Sequence, residues 1–175
     1  MKFLTLLLLS LLTSPLFGQS NSQLKWKTLT REKYKIKYPS SWSIDTAKYD
    51  HDIELYIVQP LVNEEDIFEE NISVEIRDLQ GVATSLDEFV KTKEGEIKEE
   101  VSNYRLIRSV RSKLQGHAFH ELEFIATHGV MEMHTKQYIF IRNGSAFIVT
   151  LFAVENDFKK VKEVGTAILN SFVLI

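Results

Sequence analysis

The sequence predicts an α+β fold, an α/β/α sandwich around an antiparallel sheet, and three observations carry that expectation. First, four strand-like segments at 104–114, 117–127, 130–142 and 145–154 follow one another directly. Only Gln115-Gly116, His128-Gly129 and Asn143-Gly144 separate them. Glycine accepts the positive φ of a tight hairpin turn, Asn-Gly is the strongest short signal for one, and strands joined this way form a meander. Second, both parities of Phe147-Ile148-Val149-Thr150-Leu151-Phe152 are mostly apolar, so that strand is covered on two faces. Third, one central and one terminal segment carry the apolar stripe of a helix and can supply the covers.

The elements follow in chain order. Lys2 precedes an apolar run from Phe3 to Leu12, then Thr13-Ser14-Pro15 and the small residues Gly18 and Ser20. This is the layout of an export signal, too short for a membrane span of about 20 apolar residues. The expected signal peptide is 1–20, with cleavage near 18–22, leaving one domain over 21–175. Leu24–Thr30 and Lys33–Tyr38 read as a hairpin around Arg31-Glu32. A period of two puts Lys33, Lys35 and Lys37 on one face and Tyr34, Ile36 and Tyr38 on the other. Pro39 ends that strand, and Ser40-Ser41 turn the chain to deliver Trp42. Segments 53–59 and 71–78 are two further strands, with an acidic loop between them.

Ser85 with Glu88 forms a capping box, and Asp87 adds a first-turn negative charge that suits the helix dipole. Leu86, Phe89, Val90, Ile97 and Val101 share the buried stripe of the helix that follows, which Gly95 weakens. After the meander, Asn156 is the expected N-cap of the terminal helix. Its apolar positions are Phe158, Val161, Val164, Ile168 and Phe172.

Composition narrows the function classes. The chain has 175 residues, 44% hydrophobic and 26% charged, with 21 basic against 24 acidic residues, a net charge of −3 and no cysteine. That balance excludes disorder, disulfide scaffolds, cysteine-ligated metal centres and cysteine nucleophiles, and argues against nucleic acid as a partner. Without a cysteine after the signal there is no lipid anchor. No second long apolar run exists either, so the mature chain is expected in the periplasm or outside the cell. Loss of Lys2 with the signal takes the charge to −4.

Candidate sites are sparse. His117 and His120 are three apart, which on a strand points them to opposite faces rather than to one zinc ion. His120 shares parity with Leu122 and Phe124 and belongs near the core edge. His128 lies at a turn, and His134 shares parity with Glu132 and Lys136 on a polar face. Asp50-His51-Asp52-Ile53-Glu54 faintly resembles the start of a calcium loop, but Leu55 and Leu61 stand where that loop needs glycine and glutamate. The acidic loop at 64–70 reads as hydrated, although it could hold a hard cation loosely. Arg105, Arg111 and Lys113 form a basic stripe on one parity of their strand: a solubilised, edge-protected face, or an anion or partner site. Trp26 and Trp42 either join the core or line a pocket. No nucleophile elbow, zinc-protease motif, phosphate loop or dinucleotide fingerprint occurs. The sequence therefore nominates no catalytic residue, no cofactor-binding residue and no metal ligand.

The segment Tyr34-Lys35-Ile36-Lys37-Tyr38-Pro39-Ser40-Ser41-Trp42, the capped helix, the meander and the terminal Ile168-Leu169-Asn170-Ser171-Phe172 together resemble the PsbP/DcrB-like superfamily over 24–175. The resemblance implies the α/β/α sandwich and a non-enzymatic accessory or binding module acting through its surface on a protein or envelope component. It also implies calcium or manganese association in plant members and small-GTPase binding in a eukaryotic relative, though no residue here matches those sites. Fold alone does not transfer function. The alternative expectation is a pocket that binds a small ligand or a calcium-type metal, or an enzyme of unfamiliar site chemistry.

Overall fold

The structure, a computed structural model, describes residues 24–47, 52–61, 63, 66–82 and 84–175. The expected signal peptide, Asp50, His51, Glu64 and Glu65 lie outside the described residues. The elements run β1 (Trp26–Thr30), β2 (Tyr34–Pro39), β3 (Ser43–Asp45), β4 (Ile53–Val58), β5 (Asn71–Asp78), α1 (Leu86–Glu100), β6 (Ser102–Leu114), β7 (His117–His128), β8 (Met131–Arg142), β9 (Ser145–Val154), α2 (Glu155–Asn170) and β10 (Val173–Leu174). A seven-stranded antiparallel sheet has the order β3-β4-β5-β9-β8-β7-β6, so the meander β6 to β9 supplies four adjacent strands of it. A small sheet, β1-β2-β10, packs with α2 on one face of the large one, and α1 covers the other.

Period two decides which side chain goes where. On β9, Phe147, Val149, Leu151 and Ala153 meet Tyr34, Ile36, Phe158, Val161, Ile168 and Phe172 in the larger core. Ala146 and Ile148 face the other way, toward Leu86, Phe89, Val90 and Ile97 of α1. The expected two-faced burial of this strand is thus observed. Tyr34 stacks on Phe172 at 5.2 Å between ring centres, which docks the end of α2 onto the small sheet. The β8–β9 turn has positive φ at both Asn143 and Gly144, as a two-residue hairpin requires. The β7–β8 turn instead places Gly129 and Val130 at its tip, with His128 opposite Met131 in the ladder. The Ser85–Glu88 capping box forms in both directions.

Two expectations are corrected. Asn156 does not cap α2: the helix begins at Glu155, and Val154, still paired with Met133, is its N-cap without a side-chain bond. The strand runs straight into the helix, leaving no free residue for a capping turn. Phe172, expected on the apolar stripe of α2, lies beyond the C-cap Ser171 and joins the core from there. Strands β3 and β10 are additions to the expected elements. Each is held by its partner strand, with Ser43 opposite Val58 and Val173 opposite Lys35, rather than by a pattern of its own.

Helix α2 approaches β9 closely at Gly165, where an added Cβ would stand 2.6 Å from Leu151 Cδ2. Gly95 of α1 has open space around it. Gly165→Ala should therefore cost about 1–2 kcal/mol, overpacking outweighing the gain in helix propensity. Gly95→Ala should gain up to about 1 kcal/mol. Urea unfolding of the two variants checks the opposite signs.

Candidate functional site

A half-open cleft of about 930 Å³ lies at the end of the sandwich where β9 passes into α2. Its walls are the exposed side of α2, the start of β1 with Trp42, the segment between β4 and β5, and the β7–β8 turn. The segment is closed at its base by a bond from the Gln59 amide to the Glu70 carbonyl, 2.9 Å. Phe68 meets Phe152 edge-on at 5.8 Å, and His128 meets the same ring at 5.3 Å, so both walls are anchored to β9. The rim is apolar and exposed: Leu24, Trp26, Ile67 (85%) and Val130 (98%). All four stand at the mouth of this one cleft.

Six carboxylate residues also line the cleft, and among them Glu70 alone is buried. Glu70 is only 4% exposed. Burial pushes its carboxyl above the ordinary carboxylate range; backbone amide bonds from Glu70 itself and Val154 pull the other way, and Asp66 and Asp157 add to the rise. Its Oε1 has no hydrogen-bond partner, nor has the buried Oε1 of Gln59.

One wall connects to a buried charge network on the α2 side of the sheet. Glu155 Oε2 lies 2.6 Å from His134 Nδ1, and Glu123 Oε1 lies 2.9 Å from His134 Nε2. Each nitrogen of the His134 ring thus faces a carboxylate oxygen. The ring stacks on Phe158 of α2 at 3.4 Å and 5°. Lys136 donates to Glu121 (2.7 Å) and Glu123 (3.2 Å), and Arg108 stands 3.3 Å from Glu121. The hydrogen bond from His134, with Lys136 beside it, holds the Glu123 carboxyl at about 2 despite burial. Burial works against the Lys136 ammonium, but its bonds to Glu121 and the charge of Glu123 raise it above its ordinary value.

The residues singled out in the sequence divide. Trp26 and Trp42 do line a pocket, Trp42 while also buried in the core. From the acidic loop, Asp66 and Glu70 reach the cleft. His134 shares its face with Lys136 as expected, but that face is covered by α2, so its charges pair with one another instead of with water. His120 lies on the α1 side and bonds Ser109 Oγ at 2.8 Å; burial keeps its imidazole below the ordinary value. His117 opens β7 opposite Leu114, far along the strand from His134. Asp52 pairs with Arg77 at 3.6 Å, and Glu54 accepts from the Tyr34 hydroxyl at 3.2 Å; both groups thus hold structure.

The basic stripe does not survive. A bulge at Ile107 puts Leu106 opposite Phe124 but Arg108 opposite Glu123, so the strand changes face. Arg105, opposite Ile125, lies on the α2 side, whereas Arg111 and Lys113 lie on the α1 side, where Arg111 pairs with Asp87 at 2.9 Å. Among the described residues, no group of three or more His, Asp or Glu is placed to hold a metal ion, and no helix is long and apolar enough to cross a membrane. The cleft itself was not legible, because its four walls come from segments far apart in the chain.

Comparison with known proteins gives a consistent fold. The family model described as PsbP matches residues 26–174. The solution structure of cyanobacterial PsbP from Synechocystis superposes with a TM-score of 0.61 at 18% identity, covering 90% of this chain and 96% of that one. A Pseudomonas aeruginosa protein of unknown function, PA94, titled a putative regulator, gives 0.61 at 14% identity over 85% and 96%. LpqN of Mycobacterium tuberculosis, described as involved in cell envelope biogenesis, gives 0.57 at 11% identity over 87% and 91%. No curated protein sequence matches the chain.

The network generates an acid-stability prediction. Glu123 is ordinary near 4.5 when unfolded and sits at about 2 when folded. Its contribution is complete above the unfolded value and is lost as pH falls through the folded one. Glu123→Gln should cost about 3 kcal/mol at neutral pH, by leaving His134 and Lys136 short of a charge. It should also flatten the fall in stability between roughly pH 5 and 2. Chemical unfolding across that range checks both; an unchanged acid slope would contradict the assignment.

Proposed function

The chain belongs to the PsbP family, and from that premise we propose that it is an exported, non-enzymatic accessory module that docks a partner in the cleft beside α2. Residues 1–20 act as the export signal and are removed near 18–22, leaving a mature domain over 21–175. The observation that carries the reading is the exposed apolar rim, Trp26, Ile67 and Val130, set around an acidic floor. A surface of that kind costs solubility unless something covers it.

The structural neighbours support an extracytoplasmic setting, since one is described as involved in cell envelope biogenesis. The partner is then a protein or another envelope component. The cleft's volume also falls within the range of small-molecule sites, which favours a pocket-type ligand as the second reading. Its half-open form and the exposure of the rim support the docking surface instead.

Photocrosslinking in the native cell tests this. A benzoylphenylalanine placed at position 67 or 130 should trap one protein adduct, and the same group at Lys91, on the exposed side of α1, should not. Trp26→Ala should abolish the adduct. Equal trapping from position 91, or none from 67 and 130, would contradict the docking surface.

A further inference from the structure

We propose that the occupant of the cleft is a segment of a partner protein that presents a lysine or arginine between apolar residues. The inference deepens the docking reading above and rests on it. Three observations converge on that chemistry. The described lining carries six carboxylate residues and one lysine, and that lysine, Lys160, is engaged by Asp157. The acidic cluster alone would be a hydrated surface. Glu70, however, is 96% buried at the cleft, since its exposure is 4%, and one of its oxygens accepts nothing. A buried acceptor without a donor is costly, and Gln59 Oε1 beside the same cleft repeats the shortage.

What the floor lacks is therefore a donor, and what its charge favours is a cation. A lysine ammonium brings three N–H donors and an arginine guanidinium five, with no acceptor to compete. A bare metal ion fits less well, because no three of the described carboxylates and histidines gather as a ligand set. The rim supplies the second half of the chemistry. Trp26, Ile67 and Val130 stand exposed around the acidic floor, so a cation alone would leave them uncovered. A polypeptide with apolar residues on both sides of its basic one satisfies both parts. The exposed rim favours a protein segment over a free amine. The stem of the basic residue adds apolar contact of its own on the way to Glu70.

The test uses the exported protein purified from its host and three fluorescein-labelled heptapeptides. Their sequence is Ser-Leu-Phe-X-Leu-Phe-Ser, with X lysine, norleucine or glutamate, read by fluorescence anisotropy. The lysine peptide should bind at least about tenfold more tightly than the norleucine peptide, the scale of one charge-assisted hydrogen bond. The glutamate peptide should bind most weakly. Glu70→Gln should bring the lysine and norleucine forms to within about twofold of each other, whereas Trp26→Ala should weaken both in parallel. The comparison on the unmodified protein needs no variant, so it stands even if one fails to fold.

Equal binding of lysine and norleucine forms, both weakened by Trp26→Ala, would overturn the cation inference and leave the docking surface standing. Binding indifferent to Trp26→Ala would overturn both. Binding by none of the three peptides would overturn the basic-segment inference. Decylamine matching the affinity of the lysine peptide would assign the site to a free amphipathic amine and overturn the protein-segment choice.

Discussion

The close seating of α2 against β9 is the contact on which the rest of the molecule depends. Gly165 leaves just enough room for the Leu151 side chain, and Phe158, Val161, Ile168 and Leu169 complete the seam. Because β9 feeds directly into α2, the position of the helix is set at both ends: at its start by the strand ladder and at its end by Phe172 against Tyr34. The helix then makes three things at once. It closes the larger core, it lids the buried charges of β7 and β8, and its exposed side becomes one wall of the cleft.

The buried charges follow from that seating. Glu123, His134 and Lys136 lie on sheet positions that α2 removes from water, where an unpaired ion would be prohibitive. They are tolerated because each charge faces an opposite one, with Glu155 contributed by the first residue of α2. Network and cleft therefore share a residue, and the start of α2 is positioned by charge as well as by packing. Glu70 is the contrast. It is as buried as Glu123 but has backbone amides in place of a cationic partner, and one oxygen is left over. Within one domain, both oxygens of Glu123 have partners and one oxygen of Glu70 has none.

Much of the architecture was legible in the sequence because it rests on local chemistry. Asn143-Gly144 and the glycines at 116 and 129 set hairpins wherever they occur, and Ser85 with Glu88 starts a helix by bonds within one turn. What was not legible depended on partners. Strands β3 and β10 are too short to carry a period and exist because a neighbouring strand pairs with them. Parity correctly grouped His134 with Lys136 but could not say that α2 covers that face. A single extra residue at Ile107 dissolved the apparent basic stripe, since a bulge reverses every side chain beyond it. The sequence offered Trp26 as core or pocket; only the convergence of four distant segments decided for the pocket.

The claim that the cleft is an open, cation-seeking site is tested most directly on the Glu70 carboxyl itself, by an NMR pH titration of its side-chain carbon in isotope-labelled protein. The account predicts that Glu70 titrates above the exposed glutamates in the free protein, as burial without a cationic partner requires, and that the lysine heptapeptide pulls it back down. A Glu70 that titrates together with the exposed glutamates, and does not move when the peptide is added, would contradict it.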